Sequence, residues 1–105
     1  MRVVLYGKAF GSDYDELMRD LLRLLKESSA EIVVYEPFLK DIKHCFDADV
    51  EYSFLKENDD IRDKADMMFS FGGDGTILDS LPIIRDSGVP VLGINTGNLG
   101  FLSRV

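Results

Sequence analysis

The residues best suited to chemistry form a glycine-rich segment with a single carboxylate, Phe71-Gly72-Gly73-Asp74-Gly75-Thr76. This segment lies between a short apolar run at 65–71 and a stretch at 76–87 in which apolar residues recur at helical spacing. The pattern predicts a strand that turns through glycines into a helix, where backbone N–H groups can bind a phosphate. A phosphate would repel Asp74, so this carboxylate indicates a metal, a hydroxyl to be activated, or a purely structural role.

A second glycine-containing loop, at 95–100, follows another short apolar run at 89–94. The carboxyl ends of parallel strands meet at one edge of a sheet, and such sheets bind their ligands at that edge. Two loops at one edge therefore favour a binding site more than either loop alone. The alternative for a bare Gly-Gly-x-Gly segment is a tight turn in which Asp74 only caps the helix. A P-loop is excluded because no Gly-Lys-Ser or Gly-Lys-Thr follows, so the loop has no lysine of its own to neutralise phosphate.

The chain before these loops supplies the first strands and helix. Residues 2–6 are apolar and β-branched and predict a buried strand, and residues 31–36 predict a second strand that Pro37 ends. Ser12 or Asp13 is expected to cap the helix between the two strands. The apolar stripe of this helix that we expect to face a core consists of Leu17, Leu21, Leu24 and Leu25.

Residues 38–64 follow no regular period, because aspartates and an asparagine interrupt it, and they predict a short helix followed by a polar loop. The order is therefore strand, helix, strand, irregular segment, strand, helix, strand. The strands are apolar without polar alternation, which is typical of strands buried on both faces. The sequence predicts one α/β domain over residues 1–105, a Rossmann-like parallel sheet flanked by helices.

Composition limits the function further. The 105 residues carry 19 acidic and 12 basic side chains, a formal net charge of −7, which argues against binding to nucleic acid or to anionic lipid. No apolar run approaches the roughly 18 residues of a membrane span, and no signal-peptide pattern is present, so we expect a cytoplasmic protein. Cys45 is the only cysteine and is expected to be a small buried apolar residue, whereas His44 is expected to lie on the surface or to pack. The sequence predicts no residues that bind a metal directly.

The string Gly72-Gly73-Asp74-Gly75-Thr76 resembles the signature of a kinase superfamily that includes NAD kinases, diacylglycerol and sphingosine kinases and, with serine last, phosphofructokinases. The second loop separates these families. Gly93-Ile94-Asn95-Thr96-Gly97-Asn98-Leu99-Gly100-Phe101-Leu102 is similar to the NAD kinase motif Gly-x-Asn-x-Gly-x-Leu-Gly-Phe-Leu at every fixed position. Lipid kinases carry a Gly-Thr-Gly-Asn-Asp run at this point, and Leu99 stands where that aspartate would be. The resemblance therefore favours NAD kinase, with a lipid kinase or a non-catalytic nucleotide-binding fragment as alternatives.

The resemblance implies that the chain is the N-terminal nucleotide-binding domain of such a kinase, without the family's β-rich C-terminal domain. The implied reaction transfers the γ-phosphoryl group of ATP, or of polyphosphate, to the 2′-hydroxyl of the adenosine ribose of NAD. It uses Mg²⁺ or another divalent cation, and the whole enzyme is expected to be a homo-oligomer. The isolated 105-residue chain is expected to be inactive, because the other wall of the pocket belongs to the C-terminal domain.

The resemblance also implies roles for individual residues. Asp74 matches the family's general base, and an aspartate is ordinarily ionised at neutral pH and can accept the hydroxyl proton. Gly73, Gly75 and Thr76 would contact the substrate closely. Phe101 matches an aromatic residue beside the adenine, or else it is a core residue. Asn95 would bind the ligand or brace its own loop. The sequence departs from many members at Asp79 and Asn98, where they carry basic residues.

Overall fold

A computed structural model of the chain describes residues 1–7, 14–56, 59, 61, 64–72, 76–84, 87–95 and 102–103. Six strands and three α-helices are found in this part of the chain, together with a short 3₁₀ helix. In chain order they are β1 (Arg2–Gly7), α1 (Asp15–Glu27), β2 (Glu31–Tyr35), α2 (Glu36–Ile42), the 3₁₀ helix (Lys43–Cys45), β3 (Tyr52–Leu55), β4 (Met67–Gly72), α3 (Thr76–Ile84), β5 (Val91–Asn95) and β6 (Leu102–Ser103). None of the described helices is both long and apolar enough to cross a bilayer.

The strands form a single sheet in the order β3-β2-β1-β4-β5-β6. Every pair from β3 to β5 is parallel, and only β6 runs antiparallel to its neighbour β5. The chain first moves outward from β1 to β3, then returns to β4 on the other side of β1 and continues to β5. The direction of winding therefore reverses between β1 and β4, which confirms the predicted α/β class with a parallel sheet.

Two hydrophobic cores cover the two faces of this sheet. On one face, α1 and α2 pack against alternate residues of the strands, with Leu5, Val34 and Phe71 among those that are buried there. On the other face, Ile84 of α3 joins Val4 and further buried residues. Because consecutive side chains of a strand point to opposite faces, a strand covered by helices on both sides is apolar throughout. This is the physical reason for the mainly apolar runs in the sequence.

Helix α1 corrects two of the sequence predictions. Its N-cap is Tyr14 and makes no side-chain cap hydrogen bond, whereas Ser12 and Asp13, the predicted caps, lie outside the described residues. The predicted stripe is confirmed at Leu25, which is buried, and wrong at Leu24, which is 59% exposed. Leu17 and Leu21 are partly buried and pack against the edge of the core. The side chains that this helix buries are Met18, Leu22 and Leu25. The predicted and observed stripes share Leu25 and both have helical spacing, so periodicity alone did not distinguish them.

The segment after β2 also differs from its prediction. Pro37 lies in the first turn of α2 rather than only ending a strand, a position where its missing N–H costs nothing. The predicted short helix is confirmed as α2, but the polar loop contains a strand, β3, that pairs in parallel with β2. Tyr52 and Phe54 are β-formers flanked by acidic and polar residues, so local sequence alone gave β3 no clear boundary.

Candidate functional site

Three neighbouring parallel strands end side by side at one edge of the sheet. The register pairs Gly7 of β1 with Phe71 of β4, and Gly72 of β4 with Asn95 of β5. We call the last residues of these strands, Gly7, Gly72 and Asn95, the strand-end edge. It includes the switch point between β1 and β4, where open sheets of this kind leave a crevice for a ligand.

Two glycines of the strand-end edge are required by local geometry. Gly72 is buried and has a φ of 152°, a backbone conformation that residues with side chains rarely adopt. Gly7 has no room for a side chain: a Cβ there would lie 2.7 Å from the ring of Phe38 and 2.8 Å from the carbonyl oxygen of Phe71. The backbone at both positions therefore carries no side chain.

Helix α2 supports the strand-end edge from one face of the sheet. The ring of Phe38 is completely buried and stacks on the ring of Phe71, with the ring centroids 5.9 Å apart and an interplanar angle of 22°. Phe71 immediately precedes Gly72, and Phe38 also contacts the backbone region of Gly7. The packing of two aromatic rings thus holds the ends of β1 and β4 together.

Tyr6 and Asp79 lie near the strand-end edge on the opposite face of the sheet. Tyr6 is 2% exposed, and its ring lies 4.9 Å from that of Tyr35. Burial raises the pKa of the Tyr6 phenol to about 12, with smaller contributions from the negative charge of Asp79 and from Tyr35. Asp79 is exposed in the first turn of α3, where a carboxylate is favoured by the helix dipole. The described edge therefore carries a neutral buried phenol and one nearby negative charge.

The predicted site residues are only partly located by the structure. Thr76 is the first residue of α3 and Asn95 is the last residue of β5, so the predicted strand and the predicted helix on either side of residues 73–75 are confirmed. The side chains of these two residues, and all of Gly73, Asp74, Gly75 and Phe101, lie outside the described residues. The structure nevertheless brings the starting points of both predicted loops, Gly72 and Asn95, into direct register.

Residues that the sequence analysis did not single out also lie at or near this edge. Gly7 could have been found from its position directly after a buried strand, whereas Tyr6 was hidden within that apolar run. Ser70, two residues before the end of β4, is 1% exposed, and its Oγ has no hydrogen-bond partner among the described residues. Nothing in the local sequence distinguishes a serine of this kind from any other polar residue in a strand.

Fold and edge together define a class of protein: a doubly wound α/β domain, in which ligands bind beyond the carboxyl ends of the strands at the switch point. A family model described as the ATP-NAD kinase N-terminal domain matches residues 4–105. The chain therefore belongs to the ATP-NAD kinase N-terminal domain family, as its two glycine motifs predicted.

Individual relatives agree with this assignment. The chain is 33% identical over 105 residues to a NAD kinase of Flavobacterium johnsoniae and 34% identical over 105 residues to a NAD kinase of Christiangramia forsetii. Each match covers 100% of this chain and 36% of the relative. The chain thus spans about a third of the length of the curated relatives it matches.

A solved structure shares the fold. The crystal structure of yeast NADH kinase complexed with NADH superposes with a TM-score of 0.70 at 25% sequence identity. The match covers 98% of this chain and 33% of the yeast chain. The topology described above is thus also that of a domain in an enzyme whose structure contains bound NADH.

Proposed function

We propose that the protein containing this chain is a NAD kinase, which transfers the γ-phosphoryl group of ATP to the 2′-hydroxyl of the adenosine ribose of NAD and so forms NADP. The observation that carries this proposal is the register of Gly72 with Asn95. Two motifs about 20 residues apart in sequence thereby start from adjacent positions on one edge. A single dinucleotide bound across the carboxyl ends of β4 and β5 can contact both loops.

In this proposal Asp74 is the general base. It follows the end of β4 by two residues and precedes the start of α3 by two. It accepts the proton of the attacking ribose hydroxyl, while the bare backbone before it allows the ribose to approach closely. A divalent cation, Mg²⁺ in our proposal, neutralises charge on the phosphates of ATP when it is bound.

The remaining predicted residues bind the substrate. Gly73 and Gly75 lie in sequence between the end of β4 and the start of α3, and Thr76 is the first residue of that helix. The N-terminal end of a helix favours an anionic group, because its first backbone N–H groups have no partner within the helix. Phe101 stacks on the adenine, and Asn95 contacts the ligand from the end of β5. Because Asp79 adds negative charge in the first turn of α3, the cation and residues elsewhere in the protein supply most of the charge neutralisation.

We further propose that a C-terminal domain of the family's β-rich kind forms the other wall of the pocket, so that residues 1–105 alone have no activity. The protein is proposed to act in the cytoplasm as a homo-oligomer. This division of the site follows from the resemblance and is consistent with the share of each relative that the chain covers.

The proposal is tested by assaying NADP formation by the protein at its natural length. Asp74→Asn keeps the size of the side chain but removes the base, and we expect it to lower kcat by about 10²–10⁴-fold with little change in KM for NAD. Asp79→Asn is the matched control, since it removes one charge from the same helix end; its kcat should stay within a few-fold of the original.

Two results would contradict the proposal. An equal loss of kcat in both variants would show that charge at this edge matters but that Asp74 is not the base. Phosphorylation of diacylglycerol or sphingosine, with no product from NAD, would assign the protein to the lipid kinases instead.

A further inference from the structure

Three side chains of different chemistry meet at the start of α1, away from the residues that the proposed reaction uses. Asp15 belongs to the first turn of α1, and His44 and Cys45 are consecutive in the 3₁₀ helix that follows α2. His44 Nε2 lies 2.7 Å from Asp15 Oδ2, and Cys45 Sγ lies 3.6 Å from Asp15 Oδ1. Each of the three residues offers one possible metal-ligand atom, and these atoms all lie within 4.8 Å of one another; in the described part of the chain, no other group of three or more His, Cys, Asp or Glu side chains does this. We call them the Asp15–His44–Cys45 cluster.

We propose that this cluster binds a Zn²⁺ ion through Asp15 Oδ, His44 Nε2 and Cys45 Sγ, with water as the fourth ligand. One carboxylate oxygen, one imidazole nitrogen and one thiolate form a mixed donor set that suits zinc or another borderline divalent transition metal. The set does not suit Mg²⁺ or Ca²⁺, which select oxygen ligands. The site is therefore distinct in chemistry from the divalent cation of the proposed reaction and does not depend on that reaction.

The spacing of the ligand atoms is compatible with tetrahedral coordination. Zinc bonds of about 2.0–2.3 Å place neighbouring ligand atoms roughly 3.4–3.6 Å apart. Cys45 Sγ lies 3.6 Å from Asp15 Oδ1 and His44 Nε2 lies 2.7 Å from Asp15 Oδ2, and one ligand atom from each residue lies within 4.8 Å of the others. Rotation of the exposed His44 imidazole and of the Asp15 carboxylate would bring one oxygen, the nitrogen and the sulfur to these distances around a single ion.

The surroundings favour an ordered but accessible site. Cys45 is 3% exposed, whereas the side chain of His44 is 51% exposed, so the ligands come from both the interior and the surface. Arg19 of α1 donates a hydrogen bond of 3.4 Å to the carbonyl oxygen of His44 and so fixes the 3₁₀ helix against α1. A cavity of about 410 Å³ reaches Cys45 and is lined by basic as well as acidic side chains, among them Arg19, Asp47 and Asp49. Asp49 is paired with Lys26, which also lines this cavity.

A nucleophilic cysteine is the main alternative use of these residues, and the geometry disfavours it. The Cys45 thiol donates to the Asp15 carboxylate and not to the His44 imidazole, so it is not paired with the imidazole base that activates a nucleophilic cysteine. Burial and the neighbouring Asp15 carboxylate raise the pKa of the thiol to about 11, which keeps it neutral and unreactive without a metal. On zinc binding, the thiol proton leaves to water and the metal–sulfur bond replaces the S–H bond.

Binding would join two distant parts of the chain. Asp15 and His44 are 29 residues apart, and they belong to two helical elements that pack on the same face of the sheet. A ligand that binds the folded chain and not the unfolded one raises its stability by mass action. The proposed ion therefore holds the first turn of α1 against the 3₁₀ helix.

The test is a spectroscopic titration of the purified, chelator-treated protein with Co²⁺ as the probe, followed by displacement with Zn²⁺. We expect one equivalent to give tetrahedral d–d bands together with a thiolate-to-cobalt charge-transfer band, both of which disappear when Zn²⁺ is added. Cys45→Ser should abolish the charge-transfer band, and His44→Gln and Asp15→Asn should each weaken Co²⁺ binding at least tenfold. Asp47→Asn is the matched control: it removes a carboxylate from the same cavity without removing a ligand, and it should change the affinity less than threefold.

Thermal unfolding gives a second readout. Zn²⁺ should raise the Tm of the original protein and leave the Tm of His44→Gln unchanged; His44 is exposed, so this variant should fold even if a Cys45 variant does not. The proposal is wrong if the charge-transfer band is absent from the original protein or survives in Cys45→Ser. It is equally wrong if Asp47→Asn weakens binding as much as His44→Gln does.

Discussion

The strand-end edge and the Asp15–His44–Cys45 cluster are built in opposite ways. The edge consists of backbone positions at the ends of β1, β4 and β5, and its geometry depends on residues without side chains, above all Gly7 and Gly72. The cluster consists of three side chains from two helical elements, 29 and 30 residues apart in sequence. The first follows from the parallel pairing of β1, β4 and β5, whereas the second requires α1 to have one particular rotation.

The two regions also differ in how they depend on the core. Phe38 is completely buried and contacts both Gly7 and the Phe71 ring, so the edge is continuous with the hydrophobic core. The cluster lies at the surface, with His44 half exposed and only Cys45 buried. Changes that disturb packing should therefore affect the edge strongly, and polar substitutions in the cluster should affect metal binding with little effect on the edge.

The largest effect is expected from Phe38→Ala. Removing a fully buried ring leaves a cavity beneath the ends of β1 and β4, and the free energy of unfolding should fall by about 3–5 kcal/mol. Phe54→Ala is the control, because Phe54 is 44% exposed on β3 and should cost less than half as much. Urea unfolding of both variants measures the difference. Equal losses would mean that the edge is not supported by Phe38.

Two substitutions on α1 test the rotation that places Asp15 in the cluster. Met18 is fully buried, and Met18→Ala should lower the free energy of unfolding by about 2–5 kcal/mol. Leu24 is 59% exposed, and Leu24→Ala should change it by less than about 0.5 kcal/mol. Chemical denaturation of the two variants measures both changes in the free energy of unfolding. If Leu24→Ala proved the more damaging, α1 would be rotated and Asp15 would not face His44.

Gly7→Ala tests whether the strand-end edge tolerates a side chain at the end of β1. The added methyl group would overlap the ring of Phe38 and the carbonyl oxygen of Phe71, and we expect a loss of about 1–3 kcal/mol. Adding Phe38→Leu should relieve only the contact with the ring, so the double variant should lose less than the sum of the two single losses. A neutral Gly7→Ala in thermal unfolding would show that this edge tolerates side chains.

The smallest expected effect is a pH dependence that arises from Tyr6. The pKa of its phenol rises from the ordinary value of 10.0 to about 12 in the folded protein, since burial first and the charge of Asp79 second disfavour the phenolate. The stabilisation is complete below about pH 10 and is lost as the pH rises toward 12, because there the unfolded chain releases its proton first. Tyr6→Phe should therefore be compared with the original protein at about pH 8 and about pH 11, and the stability of the original protein minus that of the variant should be lower at the higher pH. A difference that is the same at both pH values would contradict this account of Tyr6.

Much of the fold followed from local patterns. The four apolar runs that predicted strands correspond to β1, β2, β4 and β5, and Gly72 and Asn95 lie in adjacent strands as the two motifs required. These predictions succeeded because strands buried on both faces must be apolar, and because glycine is needed where φ is positive or where no Cβ fits. The chemistry proposed for Asp74 and its neighbours remains a prediction from the motifs, because those residues lie outside the described part of the chain.

The errors have a common physical origin. Leu24 was predicted in the core and is exposed, since α1 carries apolar residues over a wide arc and only packing against the sheet selects Met18, Leu22 and Leu25. Strand β3 was missed because its stability comes from the pairing with β2 and not from its own sequence.

The sequence by itself therefore determined the α/β class, the family and the two glycine motifs, because each depends on residues close together in the chain. Only the tertiary structure decided that Phe38 closes the space beside Gly7, and that Asp15 meets His44 and Cys45. Those contacts depend on how helices rotate and pack on the sheet, which is a property of the whole domain and of no single segment.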